Sequence, residues 1–189
     1  MKDSKTVRIV IVAVVLAVIV LVFFAYQGNR SKRQQVSEAV SATVVQNVLM
    51  KDLEHSYPPT PKEVVKYYAE ITECFYNEEY SDAELDQLAN KIQHLYDVEL
   101  IANQENYLED LRQEIQDMKK NKYTIASYEV SASTDVEYFD QGQDSYATLY
   151  CTFNIKQDNS SRVTSLERFV LRKDVDGHWK ILGWELVED

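Results

Sequence analysis

Residues 106–132 read NYLEDLRQEIQDMKKNKYTIASYEVSA, and a change of period inside this stretch decides the fold class. Before Lys122, Leu108, Leu111, Ile115 and Met118 recur every three or four residues, the spacing of one helical face. Asn106 with Glu109 resembles a helix start, and Lys119, Lys120 and Lys122 suit the negative helix end. After Lys122, Ala126, Tyr128, Val130 and Ala132 alternate with Ser127, Glu129 and Ser131, the period of a strand with one buried face.

Toward the C-terminus the period of two persists. The turn Asp140-Gln141-Gly142-Gln143-Asp144 precedes an inward set of Leu149, Cys151, Phe153 and Ile155, interleaved with Tyr150, Thr152 and Asn154. The polar stretch from Gln157 to Ser161 reads as a hairpin loop, and Arg162 to Lys173 as a third strand. Asp176-Gly177 is a hairpin turn signal, and the last strand runs from His178 to Val187.

Toward the N-terminus the period is helical. Ser81-Asp82-Ala83-Glu84 is a capping box ahead of Leu85, Leu88, Ile92, Leu95 and Tyr96. Thr60, Pro61 and Glu63 form another helix start, ahead of Val64, Tyr68, Ile71 and Phe75 on one face. The expected domain is therefore α+β, three helices packed on a four-stranded antiparallel curved sheet. Prolines 58, 59 and 61 mark its start, so residues 57–189 are read as the soluble domain and 27–56 as a stalk helix or linker. Val36, Val40, Val44, Val48 and Leu53 give the stalk a narrow valine-rich stripe, read as solvated or as a weak self-association seam.

Residues 9–26 carry no charge and no proline, and fourteen of the eighteen are Ile, Val, Leu or Phe. As a helix they span about 27 Å, close to the hydrocarbon thickness. The run is expected to be a retained single-pass transmembrane anchor, since no small residue stands where signal cleavage would need it. Arg8 and Tyr26 suit its two interfaces, with Arg30, Lys32 and Arg33 beyond it. Lysines and arginines flank the run equally. Because long domains translocate largely regardless of charge, residues 1–8 are read as a short cytoplasmic tail and the domain as extracytoplasmic, at the cell membrane.

Charge separates the halves. Residues 1–56 hold seven Lys/Arg and four Asp/Glu, whereas residues 57–189 hold 13 and 27. So acidic a domain repels phosphate backbones, which argues against a nucleic-acid partner. Cys74 and Cys151 fit no zinc or redox spacing and read as small core residues, although a disulfide between them stays open for a domain in an oxidising compartment. No cofactor or metal is expected. The acidic runs Glu78, Glu79, Asp82, Glu84, Asp86 and Asp135, Glu137, Asp140, Asp144 lack the glycine and glutamate of a calcium loop.

The order of elements, ending in Asp176-Gly177-His178-Trp179-Lys180-Ile181, resembles the nuclear transport factor 2-like (cystatin-like) cone fold. It departs from the usual pattern in having no helix after the first strand. The segment Tyr57-Pro58-Pro59-Thr60-Pro61-Lys62-Glu63-Val64-Val65 and the run Leu95-Tyr96-Asp97-Val98-Glu99-Leu100 resemble a family of uncharacterised membrane-anchored Firmicutes proteins. The resemblance implies a cone with a pocket, in a superfamily that hosts isomerases, dehydratases, ligand-binding modules and interaction domains.

Two functions are carried forward. The first is a tethered, non-catalytic binding module for a protein, cell-wall or small-molecule partner. Tyr67, Tyr68, Tyr76, Tyr80 and Trp184 are its candidate partner or pocket surface, because tyrosine joins an apolar body to a polar tip. The competing reading packs these rings between helix and sheet. The second function is an isomerase or dehydratase, which needs an ionisable group facing the pocket. The inward set on the second strand offers only a thiol. His94 and Asp97, three apart on one helix, are a weak alternative that reads better as boundary residues, and His55 and His178 read as structural.

Overall fold

A computed structural model describes residues 42–158 and 161–187. The proposed anchor, residues 9–26, lies outside the described residues, as do 27–41 of the stalk; among the described residues no helix is long and apolar enough to cross a membrane.

The chain from Ala42 to Asp189 forms one compact unit, so the domain starts earlier than Tyr57. The short helix α1, Val44–Leu49, falls inside the stretch read as stalk. Its Thr43 and Gln46 make a complete capping box. Val48 and Leu53 of the expected stripe are buried, and Val45 takes the inward place expected of Val44, which is half exposed. Tyr67 Oη donates to the Val48 carbonyl at 2.7 Å, and Lys91 Nζ to the Leu49 carbonyl at 2.8 Å. Both bonds fall on carbonyls of the last helical turn, where intrahelical donors run out.

Helix α2, Pro61–Asn77, starts at Thr60, whose Oγ1 accepts from the Glu63 N–H at 3.2 Å. The reciprocal half of the expected box is replaced, since the Glu63 carboxylate accepts from the Thr60 hydroxyl instead. Helix α3, Asp82–Gln93, has the full Ser81/Glu84 box. A short α4, Val98–Ala102, was not foreseen and is capped by Asp97. Helix α5, Tyr107–Lys120, starts at Asn106 without a side-chain cap bond and buries only Ile115 fully.

The sheet has five strands: β1 Tyr123–Val130, β2 Glu137–Gln141, β3 Asp144–Gln157, β4 Ser161–Lys173 and β5 Trp179–Leu186. The order is β1-β3-β4-β5, with β2 also on β3, and every pair is antiparallel. β1 pairs with the C-terminal half of β3 and β2 with the N-terminal half, so the expected first strand is an edge broken in two around Ser133–Asp135. Gly142 at φ 68° and Gly177 at φ 84° occupy the two expected turns, where a side chain would be strained.

Two irregularities set which side chains face the helices. In β1, Ile125 pairs with Ile155 and Ser127 with Asn154, which leaves Ala126 as an extra residue. Ile125, Tyr128 and Val130 therefore face inward while Ala126 is exposed, which corrects the expected alternation at its first position. The Asn77 amide closes this bulge, bonding the Ile125 carbonyl and N–H at 2.7 and 2.8 Å. In β5, Ile181 pairs with Leu171 and Gly183 with Val170, leaving Leu182 unmatched. Trp184 is thereby brought onto the face of Phe169. Each bulge bends its strand.

The inward residues Ala147, Leu149, Cys151, Phe153, Phe169, Leu171 and Ile181 are buried against Val64, Val65, Ile71 and Phe75 of α2. The link from α3 to α4 also docks on β5. Asp97 N donates to the Ile181 carbonyl and Ile181 N to the Leu95 carbonyl, both at 2.8 Å.

Candidate ligand pocket

At one end of the sheet the helices do not close onto it. A cavity of about 700 Å³ lies between α2, the α4–α5 connection, α5 and the inward face. This volume falls within the range of small-molecule sites. Helix α5 forms its roof: Tyr107, Leu111, Glu114 and Met118 recur along one helical face, and all four line the cavity. That arrangement explains why so amphipathic a helix buries a single residue fully. Its inner stripe faces space.

The walls are aromatic. Tyr68 meets Phe169 edge-on at 5.2 Å between centroids and Trp184 at 5.3 Å. Trp184 stacks on Phe169 at 5.9 Å, and Tyr96 lies 5.9 Å from Trp184 and 6.3 Å from Tyr107. Burial raises the hydroxyl pKa values of Tyr68, Tyr96 and Tyr107 above the ordinary value, so all three are neutral donors and acceptors.

The polar groups come in two tiers. Glu167 stands on β4 opposite Cys151, on the inward face, and is half-buried. Burial, with further repulsion from Glu114, pushes its carboxyl up to about 7. Glu114, Glu105 and Asp110 are exposed at the rim. Glu114 accepts a short hydrogen bond from the Tyr76 hydroxyl. Gln104 Oε1 is buried with no hydrogen-bond partner among the described residues, whereas the buried Tyr107 hydroxyl lies within reach of the Tyr96 hydroxyl. Neither atom exposes surface to the cavity.

Three of the five expected surface residues, Tyr68, Tyr76 and Trp184, line this cavity. Tyr67 is fully buried on the opposite side, against α1. Tyr80 is half-buried, with its hydroxyl on the Phe75 carbonyl at 2.7 Å and Lys119 over its ring. Arg8, Tyr26, Arg30, Lys32 and Arg33 lie outside the described residues.

His94 and Asp97 are not brought together as a pair. His94 is exposed, while Asp97 is buried and held by Arg172 Nε at 3.0 Å and Nη2 at 2.5 Å. His178 stacks on Tyr57 at 4.4 Å, and His55 is an exposed partner of Asp52. Cys74 and Cys151 are free thiols that burial pushes up to about 11 and 12. Asp174, Asp176 and His178 lie close enough to share an ion, but Asp174 Oδ1 already accepts the Asp176 and His178 N–H groups of the turn.

Glu167 was missed by sequence reasoning, which counted the inward face on β3 alone. The signal was available: Glu167 shares the period of two with Phe169 and Leu171, so one ionisable group interrupts an apolar row.

No curated protein matches the chain. The family model described as a domain of unknown function (DUF6715) matches residues 1–184, and the chain belongs to that family.

Proposed function

We propose that this protein is a membrane-tethered, small-molecule-binding domain, with residues 9–26 as a single-pass anchor and the pocket unit outside the cytoplasm. Its uncharged N-terminal run supports the anchor, and Arg8, Tyr26, Arg30, Lys32 and Arg33 suit the interfaces. The domain is a nuclear transport factor 2-like cone in this reading. Helices ahead of a bulged antiparallel sheet, with a cavity on its inward face, support that assignment.

The observation that carries the binding function is the aromatic-walled cavity with the half-buried Glu167 carboxyl on its inward face. A small molecule is favoured over a protein partner because Tyr68, Tyr76 and Trp184 line a concave cavity between helices and sheet. Native mass spectrometry of the full chain, gently extracted from its own membrane, tests the reading. A reproducible small-molecule adduct is expected. A stoichiometric protein adduct with no small mass would replace the ligand by a protein partner.

A second reading, an isomerase or dehydratase, is favoured by Glu167 alone. A carboxyl with a pKa near 7 inside a cavity can give or take a proton at neutral pH. Under this reading Glu167→Gln abolishes turnover of the co-purified molecule while leaving its adduct in place.

A further inference from the structure

We infer that the ligand of this pocket is an organic cation, a quaternary ammonium or protonated amine whose charged head sits beside Glu167 against the wall formed by Tyr96, Tyr107 and Trp184. The inference rests on the small-molecule reading above and names its ligand class.

Two features of the cavity point the same way. Four carboxylates line it, Glu105, Asp110, Glu114 and Glu167, and among the described lining residues there is no Lys, Arg or His. An anion entering this space meets repulsion at the rim and again at the floor. A neutral ligand leaves Glu167 without a counter-charge. A cation offsets it in surroundings where charges interact more strongly than in water. Separately, Tyr68, Tyr96 and Trp184 pack on one another at 5.3–6.4 Å and present one aromatic wall to the cavity. Clustered aromatic faces attract a poorly hydrated cation through their ring quadrupoles, and neutral Tyr and Trp keep that property at any physiological pH.

Binding is then linked to protonation. The titratable groups facing Glu167 are Tyr68 and Tyr76 on α2, Glu114 on α5 and Cys151 on β3. Each of these is neutral or negative near neutral pH, so none replaces the ligand's charge. A cation favours the ionised form of Glu167 and binds more tightly as pH rises through its titration.

The test uses the full chain in mild detergent and three probes of one shape: choline, the uncharged 3,3-dimethylbutan-1-ol and the anionic 3,3-dimethylbutanoate, titrated calorimetrically at pH 5.5 and pH 8. Choline is expected to bind at least about tenfold more tightly than the alcohol, more tightly at pH 8 than at pH 5.5, with no heat from the anion. Glu167→Gln should weaken choline about tenfold, remove its pH dependence and leave the alcohol unchanged. Glu114→Gln should weaken choline less and keep the pH dependence. An alcohol or an anion that binds as well as choline overturns the cation assignment but leaves the pocket reading standing. If none of the three binds, the assignment falls, and the presence or absence of a co-purified small mass decides the pocket reading separately.

Discussion

Replacing Glu167 by Gln should make the protein more stable in alkaline solution and change little in acid. The native carboxyl titrates at about 7, against an ordinary value of 4.5. Below pH 4.5 both native and unfolded states hold the proton, and Glu167 makes no pH-dependent contribution. Between 4.5 and 7 the native state keeps a proton that the unfolded chain has released, so stability falls as pH rises. Above about 7 the native carboxylate is ionised in its half-buried site and the whole penalty applies. At about 1.4 kcal/mol per pH unit the rise corresponds to roughly 3 kcal/mol. The group borders an open cavity, and solvent screening reduces this to about 1–2 kcal/mol. For a domain of this size that is roughly 3–6 °C in Tm. Intrinsic fluorescence of Trp179 and Trp184 during heating reports the transition in the full chain. The Tm gap between Glu167→Gln and the wild type should widen by that amount from pH 5 to pH 8. Any loss of a hydrogen bond in the variant offsets the two curves equally at every pH, so only the widening matters. A gap that stays constant across this range would refute a raised native titration for Glu167.

Arg172→Ala should cost about 2–4 kcal/mol, because the buried Asp97 carboxylate loses the bidentate partner that ties α4 to β4. Urea unfolding should show a lower midpoint at an unchanged slope. A fragment beginning at Tyr57 should be less stable than one beginning at Ala42 by about 2–4 kcal/mol. It loses the burial of Val45, Val48 and Leu53, in part repaid by chain entropy; thermal unfolding of the two fragments compares them. Cys74 and Cys151 should resist alkylation in the native state and react fully in denaturant, since both are buried free thiols held neutral by burial. Mass spectrometry of iodoacetamide-treated protein reads the difference.

Most of the element order was legible because local chemistry carried it. Capping residues at Thr60 and Ser81, the switch of period at Lys122 and the glycines at 142 and 177 each act within a few residues, and each marks an observed boundary. The bulges at Ala126 and Leu182 were not legible, because an extra residue is defined only against a partner strand. Their consequence is large: the second places Trp184 on the cavity side. The docking of α1 onto the domain escaped for a related reason. Three valines in five residues fit more than one helical phase, and the helix is docked by Tyr67 and Lys91, 19 and 42 residues along the chain from the carbonyls they bond.

The pocket was half legible. The tyrosine-rich face of α2 drew attention to Tyr68 and Tyr76, but nothing local separates them from Tyr67, which packs on α1. Glu167 lay in plain view on an apolar row. The cavity depends on α5 being held away from the sheet, a property of the assembled fold. Tyr96, Gln104 and Tyr107 become pocket residues only through it.

A crystal structure of the full chain, purified from its own membrane without unfolding, tests the pocket itself. Density for a small organic molecule is expected beneath α5, beside the Glu167 carboxyl and against the Tyr96 and Trp184 rings. A cavity closed by α5 packing directly onto Phe153 and Trp184 would contradict a ligand-binding role.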